Sequence, residues 1–261
     1  MRITVLTENT TEYEGIIPEH GLSLYIETDN HKILFDFGQT DTMFKNAVKL
    51  GVDLSDVDTA VLSHGHYDHG GGLAEFFKVN DKALVYVNEN AFGDYRHGDK
   101  YIGLNQEIKN NSRIVFVSSD YSIDESISVC MLQRLIQPID ASGLTYVENN
   151  SEEAEIFSHE QYLLINEDGK RYLFSGCSHK GIMNIADFFK PDIFIGGFHL
   201  MNMDMSSKND ICMLEKYADD LLSYNCHYYT CHCTGNEQYV FLKNKMQDKL
   251  FYLSCGSTIE L

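Results

Sequence analysis

Three imidazoles and a carboxylate stand within six residues at the end of an apolar run, in Leu62-Ser63-His64-Gly65-His66-Tyr67-Asp68-His69-Gly70-Gly71-Gly72. Buried imidazoles each require a hydrogen-bond partner, and crowding several together disfavours their protonation. A divalent cation satisfies all of them at once. Alternate side chains of an extended or looped backbone share a face, so His64 and His66 can reach one ion. Asp68 and His69 begin the next turn and point to a neighbouring position. The spacing therefore predicts two adjacent metal sites, and any fold for this chain must deliver a strand end to that loop.

The rest of the chain supplies such strands. ITVLT, LSLYIET and KILFDFG read as a meander, with Gly21 and Asp29-Asn30 as turn residues. TDTMFKNAVKLGV has apolar residues at helical spacing, and DTAVLSHGH is a short buried strand running into a loop. After GGLAEFFKV, the polar stretch 88–112, with Arg96, His97, Lys100 and Tyr101, reads as an insertion or lid. The second half resumes with EQYLLIN and KRYLFSG around Glu167-Asp168-Gly169-Lys170. It continues as the helix KGIMNIADFFK, the strand PDIFIGG, a helix from about Ser207 to Ser223 and the strand HYYTCH. No linker or low-complexity tract divides residues 1–261, so one α/β domain of packed sheets with helices outside is expected.

The formal charge of -19 excludes the positive field that a nucleic-acid backbone or an anionic membrane requires of a partner. Nothing after Met1 reads as a secretory leader, no apolar run is long enough to span a bilayer, and cytoplasmic residence is expected. Seven cysteines, with no CxxC pair, are expected to be mostly free thiols.

HGHYDHGG resembles the HxHxDH signature of the metallo-β-lactamase superfamily, which implies a four-layer αββα sandwich with a metal site along one edge of its sheets. EHGLSLYIE, KILFDFG, LSHGHYDHGGGL, YIG, LFSGCSHKGIMNI, IGGFHL and CHCTG are similar to the blocks of its dihydropterin-(ribofuranosyl)aminobenzene-phosphate synthase-like subgroup. The resemblance implies that His64 and His66 bind one ion, that Asp68, His69 and His232 bind a second, and that Asp36 orders the metal loop without binding metal. It implies two divalent cations, Zn2+ first, with Mn2+ or Fe2+ as alternatives.

The departure from the superfamily lies in SGCSHK, where Cys177 stands in place of a bridging aspartate. Cys177 reads equally as a thiolate ligand and as a buried thiol. His179 is favoured to complete the first site, with His159 as its competitor. His199, after paired glycines, reads either as a catalytic group or as a strand-end cap. His20, with Glu19, is expected to line the pocket, whereas His31, His97 and His227 read as surface or core histidines.

Two cations sharing a water make hydroxide available near neutral pH, so hydrolysis is the expected reaction, with Asp68 and His199 as the catalytic side chains. Lys180 and Gly181 at a helix start are expected to face the metal edge and to favour a small anionic, phosphorylated substrate. The alternatives are a mononuclear iron redox enzyme, a pterin-precursor transferase on the same scaffold, and a ligand-binding regulatory protein with little turnover. Oligomeric state is not legible.

Overall fold

The computed structural model describes residues 1–149 and 151–261. Two seven-stranded sheets face each other. The first is built from β1 (Arg2–Thr7), β2 (Ser23–Glu27), β3 (Lys32–Phe35), β4 (Thr59–Val61), β5 (Leu84–Asn88), Ile114–Val117 and Thr258–Glu260. Its order places Thr258–Glu260 outside β1 and Ile114–Val117 outside β5. The β1, β2 and β3 strands are antiparallel neighbours, as the meander predicts, and β4 and β5 then join in parallel.

The second sheet runs in the order Leu250–Tyr252, His227–Thr230, Ile193–Gly196, Lys170–Ser175, Tyr162–Glu167, Ile127–Cys130 and Tyr121–Ser122. Tyr162–Glu167 and Lys170–Ser175 form an antiparallel hairpin, and the next two strands are added in parallel.

Strict alternation explains how the sheets pack. In β2 and β3, Leu24, Ile26, Ile33 and Phe35 point into the core between the sheets, where they meet Leu163, Ile165, Phe174 and Ile195 of the opposite sheet. The residues between them, Tyr25 and Leu34, point outward to Met43 and Ala47 of α1 (Thr42–Leu50) and to Phe76 of the helix Leu73–Val79. Leu173, Phe194 and Tyr228 do the same on the second sheet, packing on the helices Ile182–Phe189, Lys208–Leu222 and Asn236–Met246. Helix, sheet, sheet and helix make four layers, the architecture implied by the motif.

Local chemistry sets the element ends. Gly51 closes α1 at φ 71°, where a side chain is strained. The Ser207 side chain accepts from Asp210 N and so opens the helix Lys208–Leu222. No helix among the described residues is long and apolar enough to cross a membrane.

A third, four-stranded sheet was only half visible in sequence. Asp94–His97 and Lys100–Tyr101 come from the expected insertion and pair with each other, but Asp94–His97 also pairs with Leu144–Glu148, which pairs in turn with Ser151–Ala154. The latter two strands are exposed or half-buried along their length, so no hydrophobic alternation marked them.

Candidate metal centre

The strand ends of the two large sheets converge on the histidine cluster. The chain leaves β3 at Asp36, which adopts φ 61°. That bend lets the carboxylate accept from Ser63 N at 2.7 Å and from Ser63 Oγ at 2.8 Å, tying the exit of β3 to the exit of β4. Asp36 Oδ2 also lies 2.6 Å from His69 Nδ1. Gly65 is required by contact: a Cβ there would sit 2.2 Å from the Ala91 carbonyl oxygen.

Two sets of donor atoms result. His64, His66 and His179 offer ligand atoms all within 4.8 Å of one another. His64 Nε2 faces His179 Nε2 at 3.3 Å, and His64 Nδ1 is held by Ser63 Oγ at 2.8 Å. In the second set, His69 Nε2 lies 3.2 Å from His232 Nε2, 3.6 Å from Asp68 Oδ2 and 3.1 Å from Cys177 Sγ. His232 Nε2 lies 3.3 Å from Asp68 Oδ2. His159 joins neither set. Its Nδ1 accepts from Gly65 N at 2.8 Å, which places it behind His64 and His66.

These residues fit a bound cation on their own evidence. His66 Nε2 and His179 Nδ1 are buried without a hydrogen-bond partner among the described residues. The facing pairs His64–His179 and His69–His232 set nitrogen against nitrogen at 3.3 and 3.2 Å, an arrangement that a shared positive charge satisfies. Asn9 Oδ1, 2.8 Å from His232 Nδ1, and Asp36 on His69 fix which nitrogen of each ring faces the centre.

The electrostatics agree. Burial holds His64 well below the ordinary histidine value, helped by the charge of His69, and pushes His66 down to about 3. Burial likewise lowers His179 well below its usual value, with His199 adding to the effect. The His64, His66 and His179 set therefore presents neutral imidazoles, and His69 differs. Burial disfavours charge on His69 too, but Asp36 and Asp68 outweigh it and raise that ring to about 9. Asp68 is pulled up by burial and down, further, by His69, His20 and His232, so it stays a carboxylate.

The centre forms one wall of a cleft of about 220 Å3, into which His20, His97 and Lys100 also project. His20 Nε2 lies 3.3 Å from Asp68 Oδ2. His97 is an exposed histidine, as expected, and strand pairing of Asp94–His97 with Leu144–Glu148 places it at the rim of this cleft. Lys100 Nζ rests on the Tyr67 ring at 4.5 Å and donates to its hydroxyl at 3.0 Å.

Lys180 and Gly181 require a correction. The N–H groups of His179 and Lys180 are not exposed to the cleft, because the buried Glu160 carboxylate accepts from them at 2.7 and 3.0 Å. Lys180 Nζ turns back to the Glu160 carbonyl at 3.4 Å, and Gly181 N donates to Ser178 O at 2.8 Å. The N–H groups of residues 179–181 are thus occupied, while the helix Ile182–Phe189 itself has no side-chain cap.

Sequence reasoning missed Glu8, Asn9 and Glu160. Glu8 Oε1 accepts from His232 N and Tyr252 Oη, both at 2.8 Å. The signal for Glu8-Asn9 was a polar residue immediately after an apolar strand, the position that Asp36 also holds. Cys233 was missed because its neighbour His232 absorbed the motif.

His199 sits at φ 55° after Gly196-Gly197, its ring centroid 4.2 Å from that of His179. Neither of its ring nitrogens makes a hydrogen bond of acceptable geometry among the described residues. His199 lines both the metal cleft and an adjoining cavity of about 260 Å3 that includes Asn184, Asp210 and Tyr217.

Comparison with known proteins agrees with this geometry. The family model described as metallo-beta-lactamase superfamily matches residues 16–119. The uncharacterized protein MJ0448 of Methanocaldococcus jannaschii is 30% identical over 243 residues, 89% of this chain and 90% of that protein. The 7,8-dihydropterin-6-methyl-4-(beta-D-ribofuranosyl)-aminobenzene-5'-phosphate synthase of the same organism is 24% identical over an alignment covering 100% of this chain and 96% of that one. The crystal structure of Tm1679, described as a metal-dependent hydrolase of the beta-lactamase superfamily, superposes with a TM-score of 0.84. It has 28% identity and coverage of 100% of this chain and 99% of that one.

Proposed function

The chain belongs to the metallo-beta-lactamase superfamily, and on that premise we propose that it is a dinuclear metal-dependent hydrolase of a small anionic, phosphorylated metabolite. The observation that carries the reading is the side-by-side placement of two donor sets, His64/His66/His179 and Asp68/His69/His232, of which His66, His179, Asp68 and His232 line one cleft. Imidazole and carboxylate donors suit zinc, with manganese or iron(II) as alternatives. When bound, such cations supply hydroxide from water at neutral pH and polarise the electrophilic oxygen.

The chain's own residues do the rest. Asp68, held ionised, accepts a hydrogen bond from the attacking water and orients it. His199 has a ring nitrogen free to donate to the negative charge that develops on the substrate oxygen. Lys100, with His97 and His20, meets the anionic part of the substrate at the cleft wall. The role first expected of Lys180 passes to Lys100. Ile102 and Leu144 of the same wall exclude water from the apolar part of the ligand.

Tm1679 is a hydrolase by its description, and the Methanocaldococcus synthase is named for a phosphate-bearing product; both support the reading. The full-length similarity to that synthase also favours a second reading, a transferase that builds a pterin precursor. A panel of phosphomonoesters and phosphodiesters offered to metal-replete protein separates them. Turnover that is abolished by chelation supports hydrolysis. Inert phosphoesters, with lactones or thioesters turned over, refute the substrate class.

A further inference from the structure

Beside the two donor sets lies a third that neither uses in full. The sulfurs of Cys177 and Cys233 and one ring nitrogen of His199 all fall within 4.8 Å of one another. Cys177 and Cys233 are 3% and 2% exposed, and both are free thiols. The chain makes room for this juxtaposition. Cys233 follows His232 in a 3-10 turn, and a Cβ on Gly197 would lie 2.3 Å from the Cys233 sulfur, so only glycine at 197 lets that sulfur approach.

Protein groups satisfy the cluster only in part. Cys177 Sγ lies 3.1 Å from His69 Nε2, and the Cys233 thiol donates to the Cys177 carbonyl oxygen at 3.4 Å. Both nitrogens of His199 are buried and without a hydrogen bond among the described residues. A polar ring aimed at two sulfurs and lacking partners costs free energy unless something occupies the space between them.

We propose that Cys177, Cys233 and His199 form a separate binding site for a thiophilic divalent cation, zinc in the cell, with the Cys177 sulfur shared with the neighbouring centre. Two thiolates cancel the charge of one such ion, which removes the cost of burying it. Two sulfurs and one imidazole leave a fourth position open, and that position faces the cleft, because His199 and both cysteines line it. His199 binds through one nitrogen and keeps the N–H of the other for the substrate.

This site stands independently of the hydrolase reading, because Cys233 is not a ligand in it. Cobalt(II) is the probe, added to reduced, metal-free protein and followed through the thiolate-to-cobalt charge-transfer absorption and by equivalents bound. Wild type is expected to develop the absorption. Cys233→Ser is expected to lose about two-thirds of its intensity, two sulfur-to-cobalt bonds of three, together with one equivalent of metal. His199→Ala, which keeps both sulfurs, is expected to weaken that equivalent about tenfold or more. His66→Ala is expected to retain the absorption while losing an equivalent from the histidine set. An absorption that is absent, or that Cys233→Ser leaves unchanged, overturns the site. Loss of the absorption in Cys233→Ser with no effect of His66→Ala on metal content would uphold it and refute the hydrolase centre instead.

Discussion

Asp36 Oδ2 lies 2.6 Å from His69 Nδ1, so the opposite nitrogen of that ring is the one that meets Asp68, Cys177 and His232. Because the same carboxylate also ties Ser63, the geometry of the second donor set depends on a residue that cannot itself reach an ion. Asp36→Asn, which keeps the shape and loses the charge, should weaken metal binding about 10- to 100-fold. Competition with a chromophoric chelator measures it. Unchanged affinity would show that the backbone alone positions His69.

The same ring sets a pH dependence. Asp36 and Asp68 overcome burial and raise His69 to about 9, so at neutral pH the metal-free ring carries a proton that a cation must displace. Metal affinity should therefore climb as pH rises towards 9, by up to about tenfold per unit, and level off above it. Titration in two buffers of different ionisation enthalpy counts the released proton. No release at pH 7 would contradict a protonated His69.

Substrate recognition separates two lysines. Lys100 is in the cleft, and Lys180 is turned back onto Glu160. Lys100→Ala should raise KM for an anionic substrate about tenfold or more with a smaller change in kcat, the loss of one charge-assisted contact. Lys180→Ala should leave KM within about twofold. The reverse pattern would restore the anion site first expected at the helix start.

How much of this the sequence disclosed depended on whether a residue's role was local. His64 to His69 were legible because a strand end and a short spacing state their geometry, whereas Asp36 was implied by the family resemblance alone. Cys177 and His179 were legible as alternatives, since the loop after Ser175 had to be folded before His179 could be seen to face His64 and His159 to lie behind it. His97, Lys100 and Glu160 were hidden: each acts through a pairing 19 to 47 residues away or more, such as His97 opposite Leu144 and Glu160 under His179. The four-layer fold class was implied by the resemblance carried by HGHYDHGG, and the alternation of β2 and β3 shows how its sheets pack.

A remote histidine offers a stability test. His31 bridges Asp58 at 2.9 Å and Asp124 at 2.7 Å, joining turns of the two large sheets. Burial opposes its charge, but the two carboxylates prevail and raise its pKa above 6.5. The protonated bridge therefore contributes fully below pH 6.5 and is lost as pH rises through the raised value. His31→Gln should cost roughly 0.5–1 kcal/mol near pH 6, a range set by solvent screening, and nothing measurable at high pH. Urea midpoints at the two pH values report it.

His66→Ala tests the central claim most directly, with zinc per chain and phosphoester turnover measured on the same preparation. Its Nε2 is buried and unpaired, and its ring, held down to about 3, is neutral and available to a cation. The variant should lose one equivalent of zinc and about a hundredfold or more of the activity while staying folded. Full zinc content with wild-type turnover would contradict a metal centre built on this cluster.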